Sequence, residues 1–520
     1  MKIEVYDTTL RDGSQGERVS FSPEDKLKLV HKLDEFGFDY LEGGWPGSNP
    51  KDEDFFRSVR KVRLKKVKIT AFGSTKRAGV PAAGDTNLQK ILESETEVVT
   101  LFGKCWDLHV KNVLRISLSE NLKLIFDSID FLRKNGRRVF FDAEHFFDGY
   151  RKNPEYALKC VRAAEEAGAE RLIPADTNGG SLPNQITEAF GALKNEVNTP
   201  LGIHTHNDGG LAVANTLAAV AAGAIQIQGT INGLGERCGN ADLLIAIPNL
   251  QLKMGYQCLE PEKLSHITGL SHYVYELANL APANNQPFVG SSAFAHKGGM
   301  HVDAVRKEPK SYEHIDPRQV GNERRILVSE LAGGATILFK VERYGIKSKG
   351  PETKKILEQL TNLEKEGYQF EAAEGSFQLL IAEALGKRPV YFRLTEFRVI
   401  VERKNGVIVS EAAVKVKMGS RREHTIAEGD GPVNALDAAM RKALSRFYPT
   451  LNQMRLTDYK VRVLNPEAAT AAKVRVLIES SDQADTWGTV GLSENIIVAS
   501  LQALSDSIDY KLMKDGVKQP

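Results

Sequence analysis

Over its first half the chain alternates short apolar runs with stretches in which apolar residues recur every three or four positions. The runs are IEVYD (3–7), DYLEG (39–43), VKITAF (67–72), EVVTLF (97–102), RRVFFD (137–142), ERLIPAD (170–176), LGIHTH (201–206) and AIQIQGT (224–230). Each has the length of a strand, and helical spacing fills most of the intervals. The clearest helix is SPEDKLKLVHKLDEFG (22–37), where Leu27, Val30, Leu33 and Phe36 recur at helical spacing. Ser22 is placed to cap it, Pro23 to take the first helical position, Asp25 to complete a capping box and Gly37 to end it. PEYALKCVRAAEEAG (154–168) and GLAVANTLAAVAAG (210–223) repeat the design. Eight such units predict a parallel sheet with helices outside, and their number and length match an α/β fold of the (β/α)8 TIM barrel type. A doubly wound open sheet is the alternative, but the GxGxxG turn expected after its first strand is missing. A barrel demands that chemistry gather at the C-terminal ends of the strands.

Beyond residue 265 the pattern changes. SHYVYELANLAP (271–282) and ETKKILEQLTNLEKEG (352–367) read as helices, and residues 290–322 read as polar and loop-rich. From residue 390 alternating strands return: VYFRLTEFRVIVERK, VIVSEAAVKVKMG, DYKVRVLN and AKVRVLIESS, before a closing helix ENIIVASLQALSDSIDYKLM. The expected organisation is a barrel at 1–265, helical linker subdomains at 266–388 and a C-terminal α+β domain at 389–520. Within the last, strands followed by a helix occur twice.

Composition narrows the function classes. The 520 residues are 42% hydrophobic and 26% charged, with 69 basic against 67 acidic side chains, which gives no reason to expect nucleic acid or an anionic membrane as partner. No apolar run approaches the roughly 20 residues of a membrane span. The start MKIEVYD reads as a strand rather than a signal peptide. Cys105, Cys160, Cys238 and Cys258 form no CxxC pair, as expected of reduced thiols in a cytoplasmic protein.

Ligand-competent residues end several strands. His204 and His206, two apart on the seventh strand, face the same way and can grip one divalent cation. Asp12 follows the first strand, which in a closed barrel is near the seventh, and Asn240 in NGLGERCGNADL after the eighth can add an amide oxygen. Two histidines, an aspartate, a neutral oxygen and open positions describe a catalytic rather than a structural site. Arg11 could stabilise charge developing on a carbonyl oxygen, or form a salt bridge. Glu144 after the fifth strand is a candidate base, or a partner for an arginine such as Arg11. Thr177 after the sixth could hold a substrate carboxylate or cap the next helix. The GLGERCG loop reads equally as a phosphate cradle or as a tight turn with Glu236 and Arg237 paired.

DTTLRDGSQ, GIHTHNDGGLAVANTLAAVAAGA and NGLGERCGNADL together resemble the isopropylmalate, homocitrate and citramalate synthase family of metal-dependent barrels. The resemblance extends through FAHKGGMHVDAV to a C-terminal domain similar to the family's regulatory, dimerising domain. LEGGWPGSNPKDEDFF (41–56) resembles the citramalate-forming branch, and apolar Val99 stands where isopropylmalate synthases tend to carry a histidine, which suits a keto acid as small as pyruvate. The resemblance implies a divalent metal (Zn, Mn or Mg) on Asp12, His204, His206 and Asn240, with Arg11 at the keto oxygen, Thr177 on the carboxylate and Glu144 as general base. His301 and Tyr312 are implied as catalytic and Asp303 as substrate-binding, in a linker that reaches an active site, commonly the partner subunit's. The implied reaction condenses acetyl-CoA with pyruvate and hydrolyses the thioester to citramalate and CoA, in isoleucine biosynthesis. Isopropylmalate or homocitrate formation on a larger keto acid, or acyl-CoA cleavage, are the alternatives. A homodimer with isoleucine as effector is implied as well, and Arg11→Ala is expected to leave folding intact while nearly abolishing turnover.

Overall fold

The computed structural model describes residues 1–297, 299–326, 351–370, 373–404, 406–464, 472–482 and 485–519. They divide into two compact units, Met1–Phe294 with His314–Arg324, and Ala295–Glu313 with Arg325–Pro520.

In the first unit eight parallel strands close into a barrel in sequence order: β1 (Glu4–Asp7), β2 (Tyr40–Gly44), β3 (Lys68–Ser74), β4 (Val98–Lys104), β5 (Arg138–Glu144), β6 (Arg171–Asp176), β7 (Gly202–Thr205) and β8 (Gln226–Gly229). Closure is made by β8 against β1, from Glu4 opposite Gln226 to Asp7 opposite Gly229. Each strand is buried on both faces, which is why the runs read as nearly continuous apolar sequence. One face looks outward to the helices: Val5, Leu41, Val99, Phe141, Ile203 and Ile227 all sit in that core. The other face fills the barrel in layers. Tyr6, Tyr40, Val98, Phe140 and Ile173 pack together inside it. On the N-terminal side Glu4 accepts from Arg171 at 3.0 and 3.2 Å and from Gln226 at 3.1 Å.

The helix Pro23–Phe36 begins with the capping box expected of Ser22 and Asp25 and ends at Gly37, whose φ of +80° suits glycine. Helices Pro154–Glu166 and Ala212–Ala221 follow β5 and β7 in the manner expected.

The second unit contains a short parallel pair, β9 (Ala295–His296) with β10 (Arg325–Ile326). Between them lies a helix, Gly299–Lys307, in the stretch expected to be loop-rich. Val302 and Val305 are buried at helical spacing, a signal too short to stand out among polar neighbours. The part of the expected linker at 327–350 lies outside the described residues. The helix Pro351–Glu366 forms where expected.

The C-terminal region is built twice on one plan. Strands β11 (Arg393–Lys404), β12 (Val407–Met418) and β13 (Arg421–Gly429) make an antiparallel sheet followed by the helix Pro432–Leu444. Strands β14 (Arg455–Val463), β15 (Val474–Ser481) and β16 (Thr486–Ser493) make another, followed by the helix Ile496–Lys514. Both halves contribute to one apolar core. Among the described residues no helix is long and apolar enough to cross a membrane. All four cysteines are free, and only Cys238 is exposed.

Candidate metal centre and active site

The turn after β1 is held by Asp7, whose carboxylate accepts from the Thr9 N–H at 3.1 Å and the Thr9 hydroxyl at 2.7 Å. Thr9 Oγ1 in turn accepts from the Ile231 N–H beyond β8 at 2.9 Å. This tie fixes the position of Arg11 and Asp12 at the barrel mouth. Burial pushes the Asp7 carboxyl up to about 7 against the lowering effect of the Thr9 hydrogen bonds.

Asp12, His204 and His206 converge, each with one ligand-competent atom within 4.8 Å of the others. Asp12 Oδ2 is 3.3 Å from His204 Nε2 and 3.9 Å from His206 Nε2, and the two Nε2 atoms are 3.3 Å apart. At metal–ligand distances of about 2.1 Å, neighbouring donors stand roughly 3 Å apart, so this spacing suits a shared ion. Asn240 is joined to His206 by a backbone bridge, and its side-chain N–H donates to Leu234 O at 3.2 Å. That leaves Asn240 Oδ1 buried with no hydrogen-bond partner. A carboxylate, two imidazoles and an orphaned amide oxygen fit a divalent cation, and Zn, Mn and Mg all accept such donors when positions stay open.

Electrostatics favour the same arrangement. Burial alone would raise Asp12, but Arg11 and His204 outweigh it and hold the carboxyl well below the usual range. Burial, reinforced by the neighbouring His204, pushes His206 down to about 3, which keeps this ring neutral and its lone pair available.

Arg11 is built in from three sides. Its Nε donates to Glu42 Oε2 at 2.6 Å, its Nη1 lies 3.2 Å from Asp12 Oδ2, and its guanidinium stacks 3.8 Å over the Phe72 ring. Glu42 is fully buried and accepts from the Tyr6 hydroxyl at 2.8 Å. Since that single proton goes to Glu42, the Thr70 and Thr100 hydroxyls, each 2.7 Å away, donate to the phenol oxygen.

These groups open onto a cavity of about 220 Å³ that also receives Asp142, Glu144 and Thr177. One wall is aromatic. Phe72 and Phe102 stack with centroids 5.2 Å apart, and the Trp45 ring meets both edge-on at 6.0 and 5.6 Å. Trp45 is fixed by donating to Asn87 Oδ1 at 2.6 Å.

Several expectations need correction. Val99 is not at the cavity: it points outward and is fully buried between barrel and helices. The residues of β4 that face inward are Val98, Thr100, Phe102 and Lys104, and it is Phe102 that reaches the wall. Glu144 pairs with Lys104, not with Arg11. Thr177 caps no helix, since the next one begins at Pro183 with Leu182 before it. Thr177 Oγ1 instead accepts from the His145 N–H at 2.9 Å. The GLGERCG loop is a tight turn: a Cβ on Gly239 would stand 1.9 Å from Gly233 O. Its Arg237 donates to both carboxylate oxygens of Asp208 at 2.7 and 3.0 Å, with Glu236 3.4 Å away.

His301, Asp303 and Tyr312 belong to the second unit. There the His301 and Tyr312 rings lie 4.3 Å apart, and Asp303 accepts from Lys307 at 2.6 Å. Sequence reasoning missed Glu42, Trp45, Phe72, Lys104, Asp142 and Gln228. Glu42 left a trace, as a charge two residues before the end of the strand Tyr40–Gly44 that the barrel buries throughout.

A family model described as HMGL-like matches residues 2–273. A homocitrate synthase post-HMGL domain-like model matches 288–368, and the LeuA allosteric (dimerisation) domain matches 371–512. The (R)-citramalate synthase of Geobacter sulfurreducens is 54% identical over 516 residues, covering 98% of each chain. That of Synechocystis is 52% identical, covering 98% of this chain and 96% of its own. A 2-isopropylmalate synthase of Methanocaldococcus jannaschii is 30% identical, covering 99% and 95%.

Proposed function

The chain belongs to the HMGL-like family, and on that premise we propose that it is an (R)-citramalate synthase, condensing acetyl-CoA with pyruvate and hydrolysing the thioester to release citramalate and CoA. The observation that carries the reading is the meeting of Arg11, Asp12, His204 and His206 in one cavity with an aromatic wall. A larger keto acid, as in isopropylmalate or homocitrate synthesis, is not favoured at 30% identity against 54%.

A divalent ion on Asp12, His204, His206 and Asn240 supplies Lewis acidity at the keto oxygen when bound. Thr177 Oγ1 already accepts from a backbone N–H, so its own proton is directed to the pyruvate carboxylate. The pyruvate methyl packs on Phe72 and Phe102. Glu144 takes a proton from the acetyl methyl of acetyl-CoA, and the resulting carbanion attacks the keto carbon. The guanidinium of Arg11, its Nε engaged by Glu42, turns its Nη edge to the negative charge that appears on the keto oxygen. The alkoxide is protonated, water adds to the citramalyl thioester, and CoA leaves as its thiol. The family resemblance, and not the cavity, gives His301 and Tyr312 a part in proton transfer and Asp303 one in substrate binding, at the partner subunit's active site.

The domain matched at 371–512 makes a homodimer and feedback control part of the proposal, with isoleucine as effector and the cytoplasm as location. The test is release of CoA from acetyl-CoA by the full chain with a panel of keto acids, with and without chelator. Preference for pyruvate and loss of activity with chelator support the reading. Preference for a branched keto acid, or indifference to chelator, overturns it.

A further inference from the structure

Behind His204 lies a chain of buried polar groups that the reaction above does not use. His204 Nδ1 is 3.0 Å from Gln228 Oε1, and Gln228 Nε2 donates to Asp142 Oδ1 at 3.2 Å. Gln228 is fully buried between His204 and Asp142, which are themselves nearly buried, so no water reaches the amide in the middle of the chain.

The chemistry of the amide gives this chain a direction. The NH₂ end of Gln228 is the end set against Asp142, whose Oδ1 accepts from it. The carbonyl end is thereby turned to His204, and a carbonyl only accepts. His204 then carries a proton on Nδ1, and Nε2, which faces Asp12 and His206, is the atom left to offer its lone pair when an ion is bound. With the amide reversed, its carbonyl would meet the Asp142 carboxylate, and its NH₂ would ask Nδ1 for a lone pair and push the ring proton to Nε2. His206 has no such support, for its Nδ1 is buried without a hydrogen-bond partner.

We propose that Asp142 and Gln228 are positioning residues for the metal centre: Asp142 orients the Gln228 amide, and Gln228 locks His204 in the tautomer that presents Nε2 to the ion. The proposal rests on the metal-dependent reading above and adds the asymmetry between the two histidines, of which only His204 is held from behind. Outer partners of metal-bound histidines typically change affinity about 10–100-fold.

The test uses the full chain and Zn²⁺ or Mn²⁺ alone, titrated in competition with a chelating dye. Gln228→Leu is expected to weaken binding of either ion about 10–100-fold, whereas Asp142→Asn, which keeps an acceptor for the Gln228 NH₂, loses less. ¹⁵N-histidine spectra of the unmutated Zn²⁺-bound chain give a readout that requires no variant to fold: His204 is expected to carry its proton on Nδ1. A proton on His204 Nε2, or unchanged ion affinity in folded Gln228→Leu, overturns the relay while leaving the metal site standing. Failure of the unmutated chain to bind either ion overturns the metal reading, and the relay with it.

Discussion

Arg11 Nε stands 2.6 Å from Glu42 Oε2, and Glu42, fully buried, is held from the far side by the Tyr6 hydroxyl at 2.8 Å. Arg11 is therefore a structural charge as well as a reactive one. Its removal leaves a carboxylate buried without its counter-charge, which typically costs about 3–5 kcal/mol. The expectation that Arg11→Ala leaves folding intact is revised accordingly: the variant should melt earlier and lose about 10²–10³-fold in turnover. Adding Glu42→Gln should restore most of the melting temperature and none of the turnover. Thermal melts and CoA release on the single and double variants check this, and recovery of activity in the double variant would contradict it.

Glu144 lies at the cavity and pairs with Lys104 rather than with the arginine. Glu144→Gln should lower turnover about 10²–10⁴-fold. It should also abolish exchange of deuterium from solvent into the methyl group of acetyl-CoA, followed by mass spectrometry. Exchange at the native rate would assign proton removal to another group.

Phe102 and Val99 separate the inward and outward faces of β4. Phe102→Ala should enlarge the cavity and shift the ratio of kcat/KM values from pyruvate toward longer keto acids. Val99→Ala should leave that ratio alone and cost about 2 kcal/mol of stability through lost packing. The same keto-acid panel and denaturant titrations separate the two outcomes.

Asp7 bears on stability and pH. Its folded-state pKa is raised to about 7 by burial. The unfolded chain therefore gives up this proton near pH 4, while the fold keeps it to about 7. The contribution is full below about pH 4 and is lost as pH rises to about 7, by a total of about 4 kcal/mol. Asp7→Asn removes that loss, so its denaturation midpoint relative to the native chain should climb between pH 4 and pH 7. A constant difference would show that Asp7 does not titrate in this range.

Much of this was legible from residues alone, for identifiable reasons. The eight strands are short and buried on both faces, and the helix caps are local, so Ser22, Asp25 and Gly37 announce themselves without tertiary information. The HxH pair and Asp12 could be matched because closing a barrel makes first and seventh strands near neighbours. Choices of partner were not legible. Whether Arg11 meets Glu42 or Glu144 depends on strand stagger around the closed sheet, which no single strand encodes. The misplacement of Val99 has a simpler cause: along a strand one step reverses the face, so a shift of one position exchanges core for cavity. Gln228 and Asp142 were hidden because buried amides and acids in apolar runs look like ordinary strand residues until their hydrogen bonds are seen.

The most direct test of the central claim is an anomalous difference map from crystals of the full chain grown with Mn²⁺. One peak is expected within about 2.0–2.4 Å of Asp12 Oδ2, His204 Nε2 and His206 Nε2. A well-ordered site without that peak, in crystals of protein that still turns over acetyl-CoA and pyruvate, would contradict it.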